Sequence, residues 1–334
     1  MNLQYYNPLS RLKLLSNCWT LSAKVKEKLE IENKASSPWR ISICLDFLIG
    51  WVRHGFSMEQ YLDYEIYKVK NCVRKNIVTN RRAIRLEGMY NNKQDIELLI
   101  DKSMFNERFR KFVHRKWFYM GANVPKEAFV ESLSKLKEII VKPIGGSQGK
   151  GIYKLKTKNI DLSDLYDELN GQKVLIEEVI KQHHDVAFGR KCVNTIRMYT
   201  LLDKKGQAHL IKSVLRVGAI NKDVDNYHQG GSIWPLNKEE GFIESAGKTL
   251  TSNSPIYYLE PLNSFMLGYR IPNYQSAVNA VIEAAKMIPT VRYIGWDIAI
   301  TDCGVEIIEA NSSPDNDFHC FGCEKHYYSR LVNI

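Results

Sequence analysis

The sequence predicts an α+β protein with largely antiparallel sheets, preceded by a helical region. Three observations carry this. From about residue 98 short apolar runs alternate with amphipathic helical stretches. Two pairs of runs face each other across tight polar turns, Asp203-Lys-Lys-Gly206 and Asp302-Cys-Gly304, and read as hairpins. Residues 1–95, by contrast, read mainly as helix. The hairpins argue against a Rossmann domain, whose sheet is parallel. A chain of 334 residues can bury a large core in two or three subdomains. The expected division is a helical region 1–95, a subdomain 96–182 and a subdomain 183–334.

In chain order, Ser36-Ser37-Pro38 marks a break before the segment Trp39 to Gly55. Met58, Tyr61, Leu62, Ile66, Val69 and Val73 form one apolar stripe at helical spacing, and Ser57 with Gln60 caps its start. Phe105 to Phe118 reads as a helix and Glu138 to Lys142 as a short buried strand. A glycine-rich turn follows, then a returning strand Gly151 to Lys156, a helix Leu162 to Leu169 and a strand Lys173 to Glu178. The first hairpin joins Thr195–Leu202 to Ala208–Val217. Gln275 to Ile288 is an amphipathic helix, and the second hairpin joins Tyr293–Thr301 to Val305–Glu309.

Composition narrows the function classes. No apolar run approaches the ~18 residues of a membrane span, and the first ten residues lack the pattern of a secretory signal. Seven cysteines, an odd and scattered set, fit a reducing compartment and a cytoplasmic location. His319, Cys320, Cys323 and His326 are a zinc candidate, but no second, distant ligand pair accompanies them, and incidental packing is the simpler reading. The net charge of +10 is concentrated before residue 130. It suits a solvated surface, an anionic membrane face or a phosphorylated substrate. No basic–aromatic module marks a nucleic-acid binder.

Two stretches carry chemistry. In Val141 to Gly151, a strand ends in Lys142 and Pro143. Gly145, Gly146, Gly149 and Gly151 then let backbone N–H groups approach an anion, and Ser147 adds a hydroxyl. It is not a Walker A loop, because it joins strand to strand. Taken alone it is equally well a turn. In Gly295 to Pro314, Glu309 and Asn311 share a strand face, and the hairpin brings Asp297 alongside them. Hard oxygen donors of this kind suit Mg²⁺. Taken alone they are equally well three polar groups on an exposed hairpin.

Read together, these segments resemble the ATP-grasp superfamily. The matches are Asp101-Lys102, Val141-Lys142-Pro143 with its glycine loop, Val174-Leu-Ile-Glu-Glu178, and Asp297 with Glu309-Ala-Asn311. Asn194-Thr-Ile-Arg197, Leu215-Arg216-Val-Gly218, Asp225-Asn-Tyr-His-Gln-Gly-Gly231 and Gly295-Trp-Asp297 are similar to the sugar-transfer-associated ATP-grasp proteins found with surface-polysaccharide genes. The resemblance implies two α+β subdomains clasping ATP, with 96–182 holding the nucleotide and 183–334 the metal and substrate. It implies that Lys102 and Lys142 contact the phosphates under the loop of Gly145, Gly146, Ser147 and Gly149. Glu177, Glu178, Val179 and Ile180 would form the adenine hinge, with Glu177 accepting from the exocyclic amine and Asp185 taking the ribose. Asp297, Glu309 and Asn311 would hold Mg²⁺.

The implied chemistry is activation of a carboxylate as an acyl phosphate, attacked by an amine or hydroxyl on a small-molecule or sugar-linked partner. Arg197 and Arg216 would hold the carboxylate or stabilise the intermediate. His228 would serve as base, while Asp225, Asn226, Gly230 and Gly231 would line the acceptor. A phosphotransferase and a non-catalytic nucleotide-binding module of a glycan-assembly complex stand as the alternatives. Glycosyltransferase partners and peripheral attachment to the inner membrane face through the basic N-terminal region complete the expectation.

Overall fold

A computed structural model describes residues 37–144, 151–221, 230–249, 255–314 and 327–334. The described residues fall into two compact units. The first holds residues 37–85 with 327–333, the second residues 86–314 with Ile334.

The first unit is helical: α1 (Ser37–His54), α2 (Met58–Asp63), a single turn at Asn71–Arg74, the start of α3 (Asn80–Tyr90) and a terminal helix Tyr327–Asn333. Ser57 caps α2, its side chain accepting from the Gln60 N–H at 3.1 Å. The single helix expected from Met58 to Val73 is instead broken in three. Glu65 adopts φ 50°, a left-handed conformation no helix interior tolerates, and Ile66–Lys68 forms a 3₁₀ turn. The apolar periodicity survives the break because each piece turns its large residues to the same core of Ile43, Phe47, Phe56, Tyr61, Leu62 and Ile66. Asp46 ties that core, accepting from Tyr61 Oη and, at 2.8 Å on both oxygens, from Arg74 Nη1.

The second unit contains two larger sheets, antiparallel throughout. One has the order β1 (Trp117–Met120), β4 (Val174–Glu178), β2 (Glu138–Pro143), β3 (Tyr153–Lys156). The other has the order β12 (Gly304–Asn311), β11 (Tyr293–Thr301), β5 (Thr195–Leu202), β6 (Ala208–Val217), β7 (Ser232–Leu236), β8 (Lys248–Thr249). A two-stranded ribbon, β9 (Tyr258–Leu259) with β10 (Ser264–Phe265), lies apart. The expected helix Phe105–Phe118 is a second correction. Helix α4 stops at Arg108, having begun at Lys102, and Trp117 and Phe118 enter β1. The aromatic run Trp-Phe-Tyr suits a strand, and pairing with β4 overrides the local helical spacing.

Each sheet is amphipathic by strand alternation. On the first, Met120, Ile139, Val141, Val174 and Ile176 pack under α5 (Lys126–Ser134) and α6 (Leu162–Leu169) through Phe129, Leu133, Leu165 and Leu169. On the second, Ile196, Met198, Leu215, Trp234, Trp296 and Ile298 pack against Ala277, Val281 and Ala284 of α7 (Tyr274–Met287). Phe109 meets Trp296 edge-on at 5.3 Å. The opposite face of each sheet carries charged side chains, Lys142 and Glu177 on the first and Arg197, Arg216 and Asp297 on the second, among apolar ones such as Ile140, Leu175, Tyr199 and Val214. None of the described helices is long and apolar enough to cross a membrane.

Candidate functional site

The helix-free face of the first sheet carries Lys142 and Glu177, because Lys142 pairs with Leu175 and Ile140 with Glu177 in the β2–β4 register. Trp117 stands beside Glu177 across the β1–β4 pair. Glu177 is fully buried. Its Oε1 accepts from Arg115 Nε and Asn106 Nδ2, each at 2.8 Å, and its Oε2 is ion-paired with Lys142 Nζ. Burial pushes this acid up, but the charges of Lys142 and Arg115 outweigh it and hold the group down at about 2. Three donors thus occupy the carboxylate expected to receive an adenine amine, and an amine there would have to share an oxygen. Glu178 points to the opposite face and accepts from the Lys116 N–H at 3.3 Å. The Val179 N–H is donated to Glu138 O at 3.1 Å and is therefore already engaged.

Lys102 opens α4, where Asp101 caps the helix by accepting from Ser103 N and Met104 N at 2.8 and 3.0 Å. Lys102 Nζ donates to Pro143 O and Ile144 O, each at 3.2 Å, where β2 leaves the sheet. Burial lowers its pKa and the Lys142 charge adds to that, while Glu309 and Glu177 oppose. Gly145, Gly146, Ser147 and Gly149 lie outside the described residues. The described residues resume at Gly151, whose φ is 73°.

The helix-free face of the second sheet carries the other charges. Asp297 pairs with Arg197 on β5 and with Glu309 on β12, and Gly295 pairs with Asn311. Arg197 grips both Asp297 oxygens: Nε contacts Oδ1, and Nη2 lies 2.9 Å from Oδ2. Arg216 Nη1 adds a contact to Oδ2 at 3.1 Å. Burial raises the Asp297 acid and the two arginines overcome it, leaving about 2. Glu309 goes the other way. Burial and the neighbouring Asp297 charge push it up, and Lys142 only partly offsets them. Two carboxylates pressed together with an amide beside them are the donor chemistry that a hard dication relieves. Asp297, Glu309 and Asn311 therefore fit Mg²⁺. Arg115 touches Glu177 on β4 and Glu306 on β12, which brings charged groups of the two sheets together.

A β-bulge builds this arrangement. Asp297 pairs with Glu309 but Ile298 pairs with Ile307, so Ile308 is the extra residue. Glu306 and Glu309, three apart, consequently share a face. Glu306 accepts from Arg115 Nη1 at 2.7 Å and from the His114 and Arg115 N–H groups at 3.0–3.2 Å. Sequence reading missed Arg115, Asn106 and Glu306. The only signal was their charge and polarity inside an apolar stretch. It also missed Asn91, which bonds Tyr293 N, Tyr293 O and Ser312 O at 2.7–2.8 Å and fixes where the chain leaves β12. Gly295 permits the close approach there, since a Cβ on it would lie 2.5 Å from Pro314 Cβ.

Of the remaining expected residues, Asp185 is exposed in a one-turn helix, 3.1 Å from His184 Nε2. That turn is anchored by buried Asn194, whose Nδ2 donates to Val186 O and Ala187 O at 2.7 and 2.9 Å. His183, His184 and Asp302 bring potential metal-ligand atoms within 4.8 Å of one another. His183 Nδ1, however, accepts from Asp185 N at 3.2 Å, which puts the proton on Nε2 and leaves no ring lone pair for an ion while that cap holds. Gly230, at φ 93°, and buried Gly231 lead into β7. Asp225, Asn226 and His228, and the cluster His319, Cys320, Cys323 and His326, lie outside the described residues.

The profile of the sugar-transfer associated ATP-grasp family matches residues 81–321. No curated protein matches the chain. Several solved structures are similar. N5-carboxyaminoimidazole ribonucleotide synthetase from Thermotoga maritima is 12% identical, with TM-score 0.44, over 75% of this chain and 54% of its own. The ATP-grasp ligase PsnB, complexed with a phosphomimetic variant of its minimal precursor, Mg and ADP, is 15% identical, with TM-score 0.42, over 75% and 64%. D-alanyl-alanine synthetase A from Vibrio cholerae is 12% identical, with TM-score 0.43, over 71% and 65%. The chain spans 51–66% of the length of the solved structures it first matches.

Proposed function

Because this chain belongs to the sugar-transfer associated ATP-grasp family, we propose that it is an ATP- and Mg²⁺-dependent ligase joining a carboxylate to an amine or hydroxyl. The observation that supports the reading is that Arg115 ties Glu177, the ion-pair partner of Lys142, to Glu306 on the strand that carries Glu309, so charged groups of two different sheets meet. Phosphoryl transfer needs positioning and charge neutralisation more than covalent help. Lys142 and Lys102 would meet phosphate oxygens, and the half-exposed Trp117 and Ile140, which flank the Lys142 partner Glu177 across neighbouring strands, line a face suited to a base. Asp297, Glu309 and Asn311 would hold Mg²⁺, which supplies charge neutralisation at the phosphates.

In the proposed reaction a substrate carboxylate oxygen attacks the γ-phosphorus, and the bond to the β-phosphate oxygen breaks to release ADP. The amine or hydroxyl then attacks the acyl carbon, loses its proton and expels phosphate. Arg216, already directed at the metal set, is suited to hold the carboxylate, and Arg197 orients Asp297. His228 is assigned as base, Asp185 as ribose partner and Asp225, Asn226, Gly230 and Gly231 as acceptor contacts. The family's sugar-transfer description supports a sugar or polysaccharide precursor as the molecule modified. The +10 charge supports work at the inner face of a membrane beside glycan-assembly partners.

The test is incubation with Mg²⁺-ATP and pools of carboxylates, amines and nucleotide sugars, following ADP, phosphate and product mass. Turnover that needs acid and acceptor together, with a product one water lighter than their sum, is the expected result. A product about 80 Da heavier than a single acceptor would establish phosphoryl transfer and overturn the ligase reading.

A further inference from the structure

Arg115 lies in the irregular segment between α4 and β1, yet its side chain is only 4% exposed and every donor direction of its guanidinium is used. Nε donates to Glu177 Oε1 at 2.8 Å. Nη1 donates to Glu306 Oε1 at 2.7 Å and Ile307 O at 2.9 Å, and Nη2 to Asn106 Oδ1 and Ile308 O, each at 3.1 Å. Glu177 belongs to the first sheet. Glu306, Ile307 and Ile308 belong to the bulged strand of the second. One side chain therefore joins the strand that anchors Lys142 to the strand that carries Glu309.

The charges are closely balanced. Glu177, with a side chain 1% exposed, and Glu306, 5% exposed, are two buried anions. Arg115 and Lys142 are the arginine and lysine that touch them, and the exposed His114 imidazole lies 3.2 Å from Glu306 Oε2. Without Arg115 the group would carry one negative charge, and Lys142 would face Glu177 without the guanidinium that now shares it. An arriving phosphate would then compete with a desolvated carboxylate for the lysine. Glu306 is less exposed to the loss, because the His114 and Arg115 N–H groups still donate to it.

We propose that Arg115 is the positioning residue that lets an arriving phosphate win Lys142 from its ion pair with Glu177: it shares the Glu177 charge from behind and grips Glu306 and the bulge carbonyls of the strand that carries Glu309. This deepens the ATP reading above and rests on it. Its distinguishing consequence is charge rescue. Removing Arg115 leaves Glu177 to capture Lys142, whereas removing both charges leaves nothing to capture it.

Titration calorimetry of the full chain with Mg²⁺-ATP tests this, with the melting temperature of each variant recorded. Arg115→Met is expected to weaken ATP binding at least about tenfold. Arg115→Met combined with Glu177→Gln is expected to return to within about threefold of Glu177→Gln alone. The double variant removes both buried charges and is the easier of the two to fold, so the comparison with Glu177→Gln stands even where Arg115→Met fails to fold. A double variant at least tenfold weaker than Glu177→Gln, or an Arg115→Met protein that binds ATP as the parent does, overturns the inference. A parent protein that takes up no ATP overturns the underlying nucleotide reading instead.

Discussion

Replacing Gly295 by alanine tests how the metal set is held, and its size can be worked from distances. The added Cβ would stand 2.5 Å from Pro314 Cβ and 3.4 Å from Arg197 Cδ. Carbon atoms settle about 3.5–4.0 Å apart, so the strand or the segment after it must yield by about 1–1.5 Å. Pro314 is buried, and Asn91 pins Ser312 two residues before it, so little slack is available. Overpacking of this kind costs about 1–3 kcal/mol. For a chain of 334 residues that lowers the melting temperature by about 1.5–4 °C. Gly295 pairs directly with Asn311 and lies two residues from Asp297, so the displacement falls on the proposed metal ligands. A misplacement of about 1 Å at reacting groups costs about 10²-fold in turnover. Scanning calorimetry reads the first effect, and ADP release from Mg²⁺-ATP the second. Gly88→Ala is the control. It lies in α3 with nothing within 4 Å of the new methyl, and should instead stabilise by about 0.5–1 kcal/mol. A Gly295→Ala protein that melts and turns over like the parent would refute the reasoning.

Three other outcomes are expected. Lys142→Met should weaken Mg²⁺-ATP binding by about 10–150-fold, the range of a lost charged contact, with circular dichroism unchanged; parental affinity in calorimetry removes Lys142 from the site. Glu309→Gln should raise the melting temperature of the metal-free protein at pH 7. The acid is pushed up in the folded state, so its ionisation subtracts stability as pH rises above the unfolded value, and the amide removes that cost. The same variant should lose the Mg²⁺-dependent shift in melting. Glu177 and Asp297 give the opposite sign. Each is depressed to about 2 from reference values of 4.5 and 3.8, so their stabilisation is complete above those values and is lost as pH falls toward 2. Urea melts should show a steep fall over pH 4.5 to 2, and the double amide variant Glu177→Gln/Asp297→Asn should flatten it.

Much of the second unit was legible because its hairpins announce themselves. Thr195–Leu202 with Ala208–Val217 appears at the expected bounds, fixed by its two apolar runs and by Asp203 closing the turn through Lys205 N and Gln207 N. Helix α6 appears at Leu162–Leu169, started by the Asp161 cap. The proposal for Lys142, Asp297 and Glu309 starts from their neighbours, glycine in one case and the i, i+2 spacing in the other. What escaped was whatever depends on partners distant in the chain. The strand Trp117–Met120 exists because β4 accepts it, and Arg115 is polar inside an apolar stretch until its partners 62 and 191 residues away are known. The break at Glu65 escaped for a related reason: apolar spacing reports which residues face the core, not whether the backbone between them stays helical.

The extra residue at Ile308 works as a phase shifter. A regular strand serves a given face at every second position, so residues three apart answer to opposite sides. Inserting one residue resets the count midway, and β12 can present Glu306 to the guanidinium and Glu309 to the metal set from one side. The spacing Glu306-x-x-Glu309-x-Asn311 is the trace this leaves in the sequence. Deleting Ile308 would shorten the strand by a single residue and put one of the two acids on the wrong side, so that strand could serve the scaffold or the ion, but not both.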